Sequence, residues 1–333
     1  MSLPLLHRRV LQIGALCLAV LSLQPASSPS VSTRILALPA ETLPPLYTFA
    51  ITADMRNFAG EGLYDSALYY RGALQALQAA GGADFMIVPG DLDPTTGVNW
   101  TIDQTLGADF LWYPVIGNHE LPGQGSETAL GANLVWLQAY PLGAVNPGPA
   151  PCPTTTYSFD RPPAHFIVLN VYCDSAGPAV TDGDITDVLQ DWLALDLATT
   201  NQAYIFVIGH EPAFPQPDID NGFINHLGNS LDQYPAHRDR FWSLLRAQGV
   251  TAYLTGHTHT FSAVSIQGVW QIDAGHARGL GDLRAASTFL RVKIYPEWVI
   301  LETYRANVLQ EYYHRQSILL TGPSQAYLPL LRR

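Results

Sequence analysis

Basic residues are scarce in this sequence: 17 Lys plus Arg stand against 28 Asp plus Glu, a formal charge of −11. Long-range repulsion at that charge disfavours non-specific polyanion binding, so any phosphate chemistry in this chain needs a metal. Charged residues of both signs make up only 14% against 47% apolar, which excludes disorder and coiled coil. Repeats are lacking too. No period of roughly 20–50 residues is present, which excludes a solenoid, and the 25 prolines and 27 glycines follow no period, which excludes a collagen-like chain. Gly-x-Ser-x-Gly is missing, so Ser-His-Asp catalysis on a nucleophile elbow is a poor competitor. What remains, over 333 residues, is material for one large domain or two small ones with a sizeable core.

The first 30 residues differ from the rest. His7, Arg8 and Arg9 precede an apolar stretch from Val10 to Leu23 and then the small, polar Ala26-Ser27-Ser28, which are the three zones of a secretory signal peptide over residues 1–28. The stretch is short for a bilayer, with an uncleaved anchor as the alternative, and no other segment looks transmembrane. No stable membrane span is therefore expected once the signal is removed, and the expected location is secreted or otherwise extracytoplasmic. Of the three cysteines, Cys17 lies in the apolar stretch; Cys152 and Cys173 remain. In an oxidising compartment those two suit one disulfide, two separately buried thiols being the alternative.

Residues 29–46, rich in Ser, Pro, Thr and Ala, form an expected linker. From Tyr47 short β-rich runs alternate with amphipathic stretches. The runs are Tyr47 to Ala53, Phe85 to Val88, Phe110 to Ile116, His165 to Tyr172, Tyr204 to Ile208 and Thr251 to Leu254, most of them apolar enough for burial on both faces. Helical spacing marks Ala67, Tyr70, Leu74 and Leu77, then Ile185, Val188, Leu189, Trp192 and Leu193, then Phe241, Leu244 and Leu245. This alternation predicts a layered α/β fold whose sites gather beyond the carboxyl ends of the strands. Past residue 260 the chain turns strand-rich, with a hairpin turn at Gln267-Gly268 and a β pair, Thr288 to Ile294 and Trp298 to Tyr304. The expected domain spans 47–305, leaving a weakly patterned tail over 306–333.

Five of the expected strands end in polar motifs. They are Asp54-Met55-Arg56, Gly90-Asp91-Leu92-Asp93, Gly117-Asn118-His119-Glu120, Gly209-His210-Glu211-Pro212 and Gly256-His257-Thr258-His259. An isolated Asp or His at a strand end is usually a capping or hydrogen-bonded structural residue, but five in order, each at a strand terminus, make a metal cage. Carboxylates, imidazoles and an amide oxygen suit Zn, Fe, Mn or similar divalent ions. The preceding glycines are expected to permit sharp strand-to-loop turns, and the two imidazoles of Gly-His-Thr-His share one face of an extended segment. His165, His226 and His237 are expected to be structural or surface residues, His276 either part of a substrate pocket or a loop residue. Asp182, Asp184 and Asp187 suit a helix N-cap better than a calcium loop.

With these motifs the chain resembles the calcineurin-like metallophosphoesterases, a family that includes the purple acid phosphatases, over roughly residues 47–305. The resemblance implies a β-sandwich flanked by helices and two divalent ions. It implies that Asp54, Asp91 and His259 hold the first ion and that Asp91, Asn118, His210 and His257 hold the second. It also implies that His119 contacts the phosphoryl group or leaving oxygen, that Glu120 orients His119, and that phosphorus is attacked in line by a metal-bound hydroxide. A small phosphate monoester or diester is the implied substrate. The net charge and the lack of a basic, aromatic-laced stripe weigh against long nucleic acids.

The chain departs from the family at one motif. The family's first motif is usually Asp-x-His, but here Arg56 takes the His position, and Pro94 stands where purple acid phosphatases have a ligating Tyr. The first ion is left with three recognisable ligands, to which Asn57, Tyr64 or His276 could add a fourth. A guanidinium cannot ligate, so Arg56 is expected to bind a phosphate oxygen, and metal is expected to load in two steps, the first site weaker. Two other functions stay open on these residues: a catalytically weak metal-binding recognition domain at the surface, and a nucleotide phosphodiesterase of the same fold.

Overall fold

In the strand β1 (Tyr47–Ile51) Phe49 and Ile51 join one apolar core while Ala50, between them, joins another. The same period of two splits β2 (Phe85–Val88) into Phe85 and Ile87 against Met86 and Val88, and β7 (Tyr204–Ile208) into Tyr204, Phe206 and Ile208 against Ile205 and Val207. Alternate side chains of a strand face opposite sides of its sheet, so runs that are apolar throughout need cover on both faces. One face of each sheet meets the other sheet, and the opposite face meets helices. The computed structural model that establishes this describes residues 44–122, 132–173 and 182–320. The expected signal peptide, the linker up to residue 43 and residues 321–333 lie outside the described residues.

The first sheet contains β1, β2, β3 (Trp112–Pro114), β11 (Thr288–Ile294), β12 (Val299–Ala306) and β13 (Tyr312–Leu320), in the order β13-β12-β11-β1-β2-β3. The second contains β4 (Asn146–Pro147), β5 (Tyr157–Arg161), β6 (Ala164–Val168), β7, β8 (Ala252–Thr255), β9 (Phe261–Ile266) and β10 (Val269–Ala274), in the order β4-β5-β6-β7-β8-β10-β9. Between the sheets the Phe49 ring meets Phe166 and Phe206 edge-on, with centroids 5.2 and 5.3 Å away, the separation at which aromatic edges favour faces. The outer faces are covered by α1 (Tyr70–Ala79), α2 (Thr95–Leu106), α4 (Asp187–Thr199) and α5 (Pro235–Ala247), through residues such as Leu74, Leu77, Leu189, Leu193, Phe241 and Leu245. α3 (Ala132–Gln138) adds Leu137 to the same cluster. This is the layered α/β sandwich expected.

Strands β1, β2 and β3 are mutually parallel, as are β6, β7, β8 and β10. Parallel pairing delivers the carboxyl ends of several strands to one edge. The two sheets are tied at that edge, where the His257 N–H donates to Asp54 Oδ2 at 2.8 Å and His210 Nδ1 lies 2.6 Å from the Pro89 carbonyl.

Several elements differ from expectation. β13 carries the first sheet to Leu320, past the boundary expected at 305; as an edge strand with Tyr313, His314 and Arg315 exposed, it lacks a two-sided apolar pattern. Helix α2 escaped the periodicity because Thr95 and Thr101 share its buried face with Val98 and Ile102. The acidic run before α4 does not cap that helix: Thr186 holds the cap position, Asp184 Oδ2 lies 2.6 Å from His237 Nδ1, and Asp187 pairs with Arg240 of α5.

Cys152 and Cys173 form the expected disulfide, their Cα atoms 5.6 Å apart. It closes a loop with a sequence separation of 21. Chain entropy at that length is worth about 3 kcal/mol, so Cys152→Ser should lower unfolding free energy by about that much in urea titrations, and wild-type protein should lose the same amount when reduced.

His165 is structural, as expected, and held between two carboxylates. On β6, 6% exposed, it sits between Asp160 (Nδ1 to Oδ1, 2.6 Å) and Asp196 of α4 (Nε2 to Oδ2, 2.9 Å). Burial alone would lower the imidazole pKa, but hydrogen bonds and charge from Asp196 and Asp160 outweigh it and raise the value. Burial likewise raises the Asp196 carboxyl, and His165, Ser158 and Asn146 outweigh it and lower the value. The histidine contribution is therefore complete below its unfolded pKa of about 6.5 and fades as pH rises through the raised folded value. His165→Gln should cost about 1–3 kcal/mol, with a larger fall in Tm at pH 5.5 than at pH 9. An equal fall at both pH values would show the imidazole to be neutral.

Candidate metal centre

All six expected ligands converge where the strands end. The loops leaving β1, β2 and β3 bring Asp54, Asp91 and Asn118 from one sheet; those leaving β7 and β8 bring His210, His257 and His259 from the other. Of the eight non-glycine residues with positive φ among the described residues, six belong to these loops or face them: Asp54 (54°), Asn57 (61°), Asp91 (57°), His226 (54°), His257 (73°) and His259 (61°). Left-handed backbone is costly outside glycine, and it persists where surrounding structure over-determines it to aim a side chain.

Two of the preceding glycines serve a different purpose from the one expected. Gly90 does need its φ of 89°, but Gly117 and Gly256 lie outside the positive-φ region and are required for closeness instead. A Cβ on Gly117 would strike Asp91, and one on Gly256 would strike the Asp54 carboxylate.

Hydrogen bonds around the imidazoles set which nitrogens face inward. His210 Nδ1 lies 2.6 Å from the Pro89 carbonyl, and His257 Nε2 lies 2.8 Å from the Asn229 carbonyl. A carbonyl only accepts, so those nitrogens carry the protons, and the lone pairs of His210 Nε2 and His257 Nδ1 face each other at 3.2 Å. Asn118 Oδ1 lies 3.2 Å and Asp91 Oδ1 3.3 Å from the same His210 Nε2. Four acceptors thus crowd one point with no proton between them. That repulsion is relieved by a cation, and the donor set is the one a divalent ion takes.

A second cluster adjoins it: one atom each from Asp54, Asp91 and His259 lie within 4.8 Å of one another. Asp54 Oδ1 is buried with no hydrogen-bond partner, a state that is expensive unless a cation completes it. Burial, then the Asp91 carboxylate, pushes the Asp54 carboxyl well above the ordinary range, with Arg278 opposing. Burial also lowers His210, His257 and His259, leaving the neutral imidazoles that ligation requires. The residues fit two adjacent ions, with Asp91 common to both clusters.

His119 Nε2 lies 3.7 Å from Asp91 Oδ2, with the ring 23% exposed at the rim. Burial lowers its pKa despite the pull of Asp91. Glu120 does not orient it. The Glu120 carboxylate instead accepts the N–H groups of Gly117 (2.7 Å), Leu92 (2.6 Å) and Asp91 (3.0 Å), pinning together the two loops that carry Asp91 and Asn118. Arg56 pairs through Nε with Asp93 Oδ1 at 3.0 Å and remains 24% exposed beside the site.

None of the three residues offered as a fourth ligand joins the first cluster. His276 uses both ring nitrogens elsewhere, on the Ala285 carbonyl (3.0 Å) and the Arg278 N–H (3.2 Å); it is a buried loop residue. Tyr64 packs on Phe58 and Tyr69, and Asn57 is tied to Asp93 by its backbone.

Sequence reasoning missed three participants. His226, expected to be structural or surface, sits in the loop over the site with its ring centroid 4.2 Å from that of His257; burial, then His259 and His210, lower its pKa to about 4. Asp282 Oδ2 lies 3.0 Å from His259 Nδ1, and Arg278 Nη2 lies 3.0 Å from His259 Nε2. Arg278 ends the Asp-Ala-Gly-His-Ala-Arg segment and Asp282 follows it, and the polar cluster of that segment was the available signal. A cavity of about 590 Å³ opens beside them, lined by residues that include Phe223, His226, His259, Asp282 and Arg284.

A family model for calcineurin-like phosphoesterases matches residues 47–261. No curated protein matches the sequence. Among solved structures, purple acid phosphatase PPD1 from yellow lupin (Lupinus luteus) seeds superposes with a TM-score of 0.56 at 16% identity, covering 83% of this chain and 53% of that one. PhoD gives 0.58 at 16% identity over 85% and 71% of the two chains. GAP50, the anchor in the inner membrane complex of Plasmodium, gives 0.50 at 12% identity over 83% and 89%. At such identities the likeness is one of fold, and the chain spans about half the length of the lupin enzyme. Among the described residues no helix is long and apolar enough to cross a membrane.

Proposed function

This chain belongs to the calcineurin-like phosphoesterase family, and from that premise we propose that it is an exported, metal-dependent phosphoesterase acting on small phosphate mono- or diesters. The observation that carries the proposal is the meeting of four lone-pair donors, from Asp91, Asn118, His210 and His257, on one proton-free point. Such a set binds a divalent ion. Beside it Asp54, Asp91 and His259 would hold a second. Divalent ions bound there would supply charge stabilisation at the phosphoryl oxygens and a nucleophile from water at neutral pH.

The residues around the ions bind and orient the ester. The rim position of His119 suits contact with the phosphoryl or leaving-group oxygen. Arg56, anchored through Nε, offers the rest of its fork to a non-bridging oxygen. His226 closes the side over His257. Glu120 keeps the Asp91 and Asn118 loops in register. Export is supported by the N-terminal pattern and by the Cys152–Cys173 disulfide, a bond that persists in oxidising compartments.

Elemental analysis of the purified chain, followed by turnover of chromogenic phosphate monoesters and diesters, tests the proposal. Metal-dependent hydrolysis that a chelator abolishes is the expected result. Retained metal with no turnover on either ester class would favour the recognition-domain function instead.

A further inference from the structure

The position of the first ion already has a cationic neighbour. Arg278 is 7% exposed; its Nε donates to the Asp54 carbonyl at 2.5 Å, its Nη2 to His259 Nε2 at 3.0 Å, and its Nη1 lies 3.8 Å from Asp282 Oδ2. Because His259 Nδ1 faces the Asp282 carboxylate at 3.0 Å, it carries the ring proton, and Nε2 holds the one lone pair the ring has for an ion. The guanidinium takes that lone pair, and it never deprotonates.

Arg278 is also fixed in place. Its own N–H donates to His276 Nδ1 at 3.2 Å, the Ala277 N–H to the Ala53 carbonyl at 2.9 Å, and the Gly279 N–H to Ser287 Oγ at 3.0 Å. A Cβ at Gly279 would strike the Leu68 backbone, so the segment is packed tightly just beyond the arginine as well.

We propose that Arg278 is the resident cation of the first site: it balances Asp54 and occupies His259, so that the chain holds one ion tightly, in the cage of Asp91, Asn118, His210 and His257, and takes a second only weakly, in competition with the guanidinium. The inference rests on the centre being a metal centre, as argued above. It replaces Arg56, which pairs with Asp93, as the reason for unequal loading. In this chain Arg56 stands at the first-motif His position, and the fixed cation beside Asp54 and His259 is Arg278.

The test is metal binding by the full chain, with no substrate present. Apo protein is titrated with Zn²⁺ or Mn²⁺ alone by calorimetry, and retained metal is counted after dialysis. Wild type should retain one equivalent. Arg278→Gln should retain two, its second binding step tightened by about 10- to 100-fold, the scale on which groups hydrogen-bonded to metal ligands act, and Arg278→Lys should stay near wild type. Two equally tight equivalents in wild type, or one in a folded Arg278→Gln, would overturn the proposal. Should Arg278→Gln fail to fold, Asp54→Asn decides: a count unchanged at one supports the proposal, and a fall from two to one refutes it. A wild type that retains no metal at all, like His210→Ala, would remove the metal centre itself and not this inference alone.

Discussion

Replacing Asp91 with Asn is expected to abolish hydrolysis in a protein that still folds, with kcat/KM falling by about 10³-fold or more, the scale seen when charge stabilisation built into a site is removed. Asp91 is the one residue shared by both ligand clusters: its Oδ1 lies 3.3 Å from His210 Nε2, it belongs with Asp54 and His259 to the first cluster, and its Oδ2 faces His119 at 3.7 Å. An amide keeps the shape and loses the charge. Circular dichroism, metal content and turnover are measured together; wild-type turnover with unchanged metal in a folded Asp91→Asn would end the bridging assignment. His210→Ala, which removes one of the two facing lone pairs, should lose activity and the tightly held ion together.

His119→Ala is expected to lower kcat by about 10²-fold or more, the usual scale for a lost acid, base or electrostatic partner, with the metal count unchanged. The side chain lies at the rim, 23% exposed, outside both ligand clusters. Loss of one metal equivalent in this variant would make His119 a ligand and its assigned role wrong. Glu120→Gln should behave differently. Its carboxylate accepts three backbone N–H groups, so the variant should lose metal affinity through displaced loops, not through the chemistry of His119.

Local patterns were legible to different degrees. Phe85 to Val88 and Tyr204 to Ile208 were read residue for residue because strands apolar on both faces leave unbroken runs. The run from Phe110 to Ile116 shrank to three paired residues, since apolar character marks burial and not pairing. Gln267-Gly268 turned the β9–β10 hairpin as expected, both residues taking the positive φ such turns require. Helix α2 and strand β13 went unread because a threonine-lined face and an exposed edge carry little hydrophobic contrast.

The sequence by itself determined the kinds of atom at the centre and the order in which strands deliver them. Asp54, Asp91, Asn118, His210, His257 and His259 each follow a strand directly, and a strand's end is fixed by its own apolar run, so the ligands were legible one motif at a time. Only the tertiary structure decided what surrounds them. Arg278 reaches Asp54 across 224 residues, Asp282 reaches His259 across 23, and His226 arrives over His257 on a loop of no regular pattern. Such contacts depend on how two sheets are tied edge to edge and on which nitrogen each imidazole keeps free, and spacing along a chain encodes neither. The charge beside the first cluster is therefore a property of the fold: Arg56, two residues from Asp54 in sequence, turns to Asp93, and Arg278, distant in sequence, takes the place at His259.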